Sequence, residues 1–245
     1  MIDTAVILAA GLGSRLEGAA GDRPKGFLRL GELPIVEESI QRLRANGVNH
    51  IIIVTGYRSE YYDTLAGRYP GAIRTVRNER FADSGSLYSL YLAREMLQRP
   101  FLLLESDLIY ESRALQTLRE GPEDAILLSG PTGAGDEVYV ETHDGLLVAM
   151  SKERASLGAE PAGELVGISR ISATLFELIV DYSEQAFTKT LSVDYETDGL
   201  VAAGRKRPIA CPVVSDLVWA EIDDASHLKR AREHVYPRLQ SPTNR

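Results

Sequence analysis

A single cysteine in 245 residues, Cys211, leaves no partner for an intrachain disulfide and no cysteine-rich zinc site. The four histidines, His50, His143, His227 and His234, fall at no metal-ligand spacing and read as surface or packing residues. Cations are outnumbered: the net charge of −8 argues against a broad nucleic-acid footprint, so any polyanion must be gripped by local basic residues. No apolar run approaches the length of a membrane span, and Met1-Ile2-Asp3 leads into a strand without a signal-peptide pattern. The expected location is the cytoplasm. Gly-Lys-Ser/Thr never occurs, which excludes a P-loop. Internal repeats and linkers are absent too, so residues 1–240 are expected to form one domain with a frayed tail at 241–245.

What the chain does have is concentrated at its start. The continuous apolar run Ala5 to Leu8 predicts a buried strand. It empties into Ala9-Ala10-Gly11-Leu12-Gly13-Ser14-Arg15-Leu16, followed by Arg23-Pro24-Lys25. Small residues there let the backbone approach a ligand and aim N–H groups at an anion. Arg15 and Lys25 then supply positive charge. A dinucleotide fingerprint fails, because Leu16 replaces the third glycine that close helix packing needs.

Further strands are predicted at Ile51–Val54, Ile73–Val76, Phe101–Leu104, Ala125–Ser129 and Glu164–Ile168, and late strands at Ile209–Val214 and Val218–Ile222. A hairpin is expected from Glu137–Glu141 and Leu146–Ser151 around Asp144-Gly145. Helices are expected at Ile35–Asn46, from a Ser59 cap to Tyr69, and at Leu87–Met96, Ser112–Glu120, Ala173–Tyr182, Val193–Ala203 and Asp224–Val235. Strand and helix alternate in the first half, so the expected class is a three-layer α/β/α sandwich with a mixed, mainly parallel sheet.

Ligands of such sheets bind beyond the carboxyl ends of the strands. Polar residues are expected there at Glu105-Ser106-Asp107 and Glu221-Ile222-Asp223. Asp107 and Asp223 are candidate ligands of one Mg²⁺, with Glu221 a weaker third. Asp83-Ser84-Gly85-Ser86, entering a helix, is a candidate reader of a nucleobase edge. A capped helix without a ligand explains that stretch equally well.

Taken together, these stretches resemble the nucleotidyltransferase family. The resemblance is to its cytidylyltransferase branch, which activates small phospho- or phosphono-zwitterions (phosphocholine and 2-aminoethylphosphonate). It rests on Arg-Pro-Lys-Gly-Phe-Leu (23–28), Leu-Leu-Leu-Glu-Ser-Asp-Leu-Ile-Tyr (102–110), Gly-Asp-Glu-Val-Tyr-Val-Glu (135–141), Gly-Glu-Leu-Val-Gly-Ile (163–168) and Glu-Ile-Asp-Asp-Ala-Ser-His-Leu (221–228). The middle stretches favour the phosphonate side, whereas Leu87-Tyr88-Ser89-Leu90-Tyr91-Leu92 looks more like the phosphocholine side.

The resemblance implies a Rossmann-like nucleotidyltransferase fold, CTP as donor, Mg²⁺ as cofactor and a small zwitterion as acceptor, with a homodimer left open. CTP would contact Leu8, Ala9, Ala10, Gly11, Gly13, Ser14, Asp83, Ser84, Gly85 and Ser106. Lys25 would lie against the α-phosphate and Arg15 against the leaving pyrophosphate. For the acceptor, Lys152 is the candidate for the phosphonate. Asp136, Glu164 and Glu196 compete for the ammonium, with Tyr195 the nearby aromatic. Lys152 and these three acids read equally well as solvated surface charges. The single tryptophan, Trp219, leaves little for an aromatic cage and so favours a primary ammonium. Rival readings are a sugar-1-phosphate nucleotidyltransferase and a non-catalytic nucleotide-binding module.

Overall fold

The structure is a computed structural model that describes residues 2–16 and 21–241. The tail at 242–245 and the side chain of Ser14 lie outside the described residues. Eleven strands are present: β1 (Thr4–Ala9), β2 (His50–Thr55), β3 (Ile73–Arg77), β4 (Phe101–Glu105), β5 (Leu108–Tyr110), β6 (Ala125–Ser129), β7 (Tyr139–His143), β8 (Leu146–Ser151), β9 (Gly163–Ile171), β10 (Val213–Val214) and β11 (Trp219–Glu221). The main sheet runs β10-β6-β9-β4-β1-β2-β3, and β7 and β8 extend it alongside β9. Within that path β9 alone is antiparallel to its neighbours, so the sheet is mixed and mainly parallel, as expected.

Side-chain alternation along the central strands makes two cores. Val6 and Leu8 of β1, with Phe101 and Leu103 of β4, face one layer. That layer holds α3 (Ser86–Leu92) and α5 (Ala173–Ala186). Ala5, Ile7, Leu102 and Leu104 face the other, against α1 (Ile35–Ala45), α2 (Ser59–Gly67) and α4 (Arg113–Glu120). A third cluster, including Leu16, Ile109, Val218, Ile222 and Leu228, seats the C-terminal helices at 225–239.

Several expectations need correction. Val218–Ile222 does not join the main sheet: Trp219–Glu221 pairs antiparallel with β5, a three-residue strand too short to show a period in sequence. Of 209–214 only Val213–Val214 forms a strand, while Ala210 makes isolated bridges to Ala125 and Leu146. Helix α2 is not capped by Ser59. Arg58, in the left-handed region with φ 53°, occupies the cap position without a side-chain bond. The helix expected over 193–203 is instead a π-helical turn at Tyr195–Leu200 followed by one short α-turn, Val201–Gly204. The Gly199 N–H reaches back five residues to the Asp194 carbonyl at 3.1 Å. The hairpin turn is as expected, with Asp144 and Gly145 both at positive φ.

One glycine is dictated by close approach. A Cβ at Gly85 would lie 2.2 Å from the Val193 carbonyl oxygen, which is backbone and cannot swing away. Gly85→Ala is expected to cost about 3 kcal/mol in chemical denaturation, because α3 must part from segment 191–193. An unchanged midpoint would show that the two segments separate freely.

Candidate active site

Strand order reverses at β1, which lies between β2 and β4, and there the connections diverge to leave a crevice at the carboxyl ends. The Ser106 N–H donates to the Leu8 carbonyl at 3.0 Å, holding the β4 exit against β1. A cavity of about 470 Å³ opens there, with Leu8, Ala9, Ala10, Gly11 and Ser106 in its lining. Gly13 lies outside that lining. At φ 66° it presses on the Lys25 side chain, and a Cβ there would sit 3.2 Å from the lysine Cγ.

Lys25 is central. Its Nζ donates to Asp107 Oδ2 at 3.2 Å and is also paired with Asp223 Oδ1. Burial disfavours the ammonium, but Asp107 and Asp223 outweigh it and hold the Lys25 pKa above its ordinary value. Arg15, more than half exposed, reaches Asp223 Oδ2 at 2.9 Å. The two acids read from the sequence as metal ligands are thus joined by a lysine.

Each of the two acids has its own companions. The carboxylates of Glu105, Asp107 and Glu221 have oxygens within 4.8 Å of one another, and Asp136, Asp223 and His227 form a second such group. Burial raises the Glu105 and Glu221 pKa values well above the ordinary glutamate range, and mutual repulsion adds to it. Glu196 is pushed up to about 7, chiefly by burial. Asp107 is raised by burial despite Lys25. Asp223 is lowered, because Lys25 and Arg15 overcome its burial.

On the acceptor side, Lys152, Asp136 and Glu196 line the cavity, and the Lys152 charge acts on both acids. Glu164 and Tyr195 do not line it. Glu164 is buried and accepts from the Thr132 N–H at 2.8 Å, anchoring the loop that carries Thr132, Ala134 and Asp136 along the cavity. Tyr195 is buried, and its hydroxyl donates to Glu196 Oε1 at 3.0 Å. Both stand behind the surface that a ligand meets. In the proposed base loop, Ser84 and Gly85 line the cavity, while Asp83 is exposed and outside it. The Gly85 N–H is already bonded to the Leu191 carbonyl at 2.8 Å, so it is not available to a base edge.

Sequence reasoning passed over Glu105, although it stands two residues before Asp107, at the spacing that set Glu221 beside Asp223. It also left His227 as packing. His227 is buried, its Nδ1 accepts from the Asp223 N–H at 3.4 Å, and its Nε2 lies 3.2 Å from the Ala134 carbonyl oxygen. With both ring nitrogens engaged by backbone, it braces Asp223. No local pattern marks that role.

Residues 5–175 match the MobA-like NTP transferase domain, and the chain belongs to that family. Among its relatives, CMP-5'-(3-aminopropyl)phosphonate synthase of Streptomyces rubellomurinus is 33% identical across 93% of this chain. The match spans only 38% of that longer protein. The 2-aminoethylphosphonate cytidylyltransferase of Lancefieldella rimae is 28% identical over 76% of this chain and 74% of its own. The choline-phosphate cytidylyltransferase of Streptococcus pneumoniae is 29% identical over 80% of this chain and 82% of its own. A solved structure of the CTP:phosphocholine cytidylyltransferase from that species shares the fold, with a TM-score of 0.75 over 95% of this chain and 99% of that one at 24% identity. Among the described residues, no helix is long and apolar enough to cross a membrane.

Proposed function

We propose that this chain transfers CMP from CTP to a small aminoalkylphosphonate, 2-aminoethylphosphonate foremost, releasing pyrophosphate. The observation that carries the reading is a single cavity with two chemically distinct parts. One part has the glycine-rich turn, Arg15 and Lys25; the other has Lys152, whose charge acts on Glu196 and Asp136. The first suits a triphosphate and the second a zwitterion. Relatives that carry phosphonate and choline-phosphate names support the same class.

In the proposed reaction a phosphonate oxygen forms the new bond to the α-phosphorus, and the bond from that phosphorus to the β-phosphate bridging oxygen breaks. The attacking oxygen is already anionic at neutral pH, so no general base is required. Positioning and charge stabilisation are the whole of the task. Lys25 would stabilise the charge gathering on the α-phosphate, and Arg15 would hold the departing pyrophosphate. Lys152 would take the phosphonate, and Glu196 with its neighbours the ammonium. The N-terminal half would thus hold CTP and the second half the acceptor, within one domain.

The carboxylates are hard oxygen donors in excess of the cations beside them, and their repulsion adds to the burial that raises the Glu105 and Glu221 pKa values. That donor set fits Mg²⁺. Asp107 and Asp223, with Glu221 and Glu105 beside Asp107, would hold it. When bound, the ion would neutralise charge on the phosphates.

Tyr195 is withdrawn from the cavity although Trp219 and Phe81 line it, and an aminoalkyl acceptor is favoured over a trimethylammonium one by the two relatives with aminoalkylphosphonate names. The test supplies CTP and Mg²⁺ with 2-aminoethylphosphonate, 3-aminopropylphosphonate or phosphocholine and follows pyrophosphate. An aminoalkylphosphonate is expected to exceed phosphocholine at least about tenfold in kcat/KM, equivalent to about 1.4 kcal/mol. Faster phosphocholine turnover would reverse the acceptor, and no pyrophosphate with any of the three would overturn the transferase reading.

A further inference from the structure

Tyr62 of α2 is almost wholly buried, yet it is part of the cavity lining. Its hydroxyl packs against the backbone of Gly26, with Ser106, from a different part of the chain, on the same spot. Those two residues are the immediate neighbours of Lys25 and Asp107, which face each other at 3.2 Å. The contact is tight on every side. A Cβ at Gly26 would lie 2.8 Å from the Tyr62 hydroxyl oxygen and 3.1 Å from the Ser106 carbonyl oxygen. The next residue is fixed as well: the Phe27 ring meets Tyr62 edge-on at 5.1 Å and Tyr61 at 5.1 Å. Helix α2 therefore grips the turn Lys25–Phe27 by ring packing and by one hydroxyl.

We propose that Tyr62 is a positioning residue for the reaction, its hydroxyl wedged where the backbone beside Lys25 meets Ser106 beside Asp107 and so fixing the separation of the two side chains. The inference rests on the transferase reading given above. Lys25 ends a flexible four-carbon stem, so its ammonium is placed only as well as its backbone is. A shift of about 1 Å in such a group is enough to cost turnover on the order of a hundredfold. Because Tyr62 is only 1% exposed, its effect would pass through Gly26 and Ser106.

Tyr62→Phe keeps the ring and its contacts with Phe27 and removes only the oxygen. Two measurements are made on the full-length chain at a temperature where the variant is folded. Amide exchange at Gly26 is expected to quicken at least about tenfold, because the hydroxyl packed on its backbone is gone. The kcat for pyrophosphate release is expected to fall about tenfold or more, with KM for CTP within about twofold. A merely structural role would lower the melting point and leave kcat alone, and that result overturns the proposal. Unchanged Gly26 exchange overturns it independently. If the wild-type chain itself releases no pyrophosphate, the transferase reading fails, and the exchange rate still decides whether Tyr62 holds the Lys25 segment.

Discussion

Lys25→Ala is expected to lower pyrophosphate release by at least about a thousandfold and to lower the thermal midpoint as well. The activity loss follows from the position of the ammonium. It is a half-buried cation between Asp107 and Asp223, at the mouth of the glycine turn where the α-phosphate of CTP would lie. Removing one preorganised donor from such a site costs on the order of 10²–10³ in rate, and a charged one costs more. The stability loss has a separate origin. The folded-state pKa of Lys25 is raised, so the folded chain holds that proton more tightly than the unfolded chain does. Its contribution is therefore fully present at neutral pH and fades only as the pH rises through and beyond the ordinary lysine value. Stripping the cation from two buried acids should cost about 3 kcal/mol, or roughly 6–12 °C at this chain length. Calorimetry beside the turnover assay checks both, and near-normal turnover in a folded variant would remove Lys25 from the chemistry.

Asp107→Asn should lose activity and gain stability, a combination that separates function from folding. Turnover is expected to drop about a hundredfold or more, because a carboxylate paired with Lys25 and proposed to hold the metal becomes neutral. The gain follows from the sign of the pKa shift. Asp107 is raised by burial and by Asp223, against the pull of Lys25, so its charge is disfavoured in the folded state. The wild-type chain thus loses stability as the pH climbs from the ordinary Asp value, near 4, through the raised one. Asparagine is spared that loss. The variant should melt a few degrees higher at pH 8, by about 1 kcal/mol, and the difference should vanish toward pH 3.5. A midpoint that falls at pH 8 would mean that the attraction to Lys25 outweighs burial.

Much of this was legible in the sequence because it rests on local rules. Continuous β-branched runs marked the central strands, and a βα turn with two glycines marked their ligand end. Arg15, Lys25, Asp107, Lys152 and Asp223 were singled out and all line one cavity. The misreadings share a physical cause, which is that depth is not a local property. Glu164 and Tyr195 carry the right chemistry in the right neighbourhood, but the fold turns them inward to hold a loop and another acid. Ser59 looked like a cap because its type suits one, yet Arg58 takes the place through a left-handed backbone conformation. The segment at 195–200 carries Thr197-Asp198-Gly199, which are poor helix formers, and the Gly199 N–H closes a wider π-helical turn on the Asp194 carbonyl.

The β5–β11 ribbon has one more consequence. Asp107 and Asp223 are separated by more than a hundred residues of chain. They nevertheless flank a two-stranded ladder in which Leu108 pairs with Glu221 and Tyr110 with Trp219. A ladder of this kind sets where its ends lie, whatever the length or shape of the chain that loops out between them. The intervening segment carries Asp136, Lys152 and Glu196, the residues assigned to the acceptor. The ribbon therefore holds the two acids relative to each other, while β9 of the same segment returns to the main sheet beside β4, so the residues proposed for the acceptor hang on stretches anchored at both places.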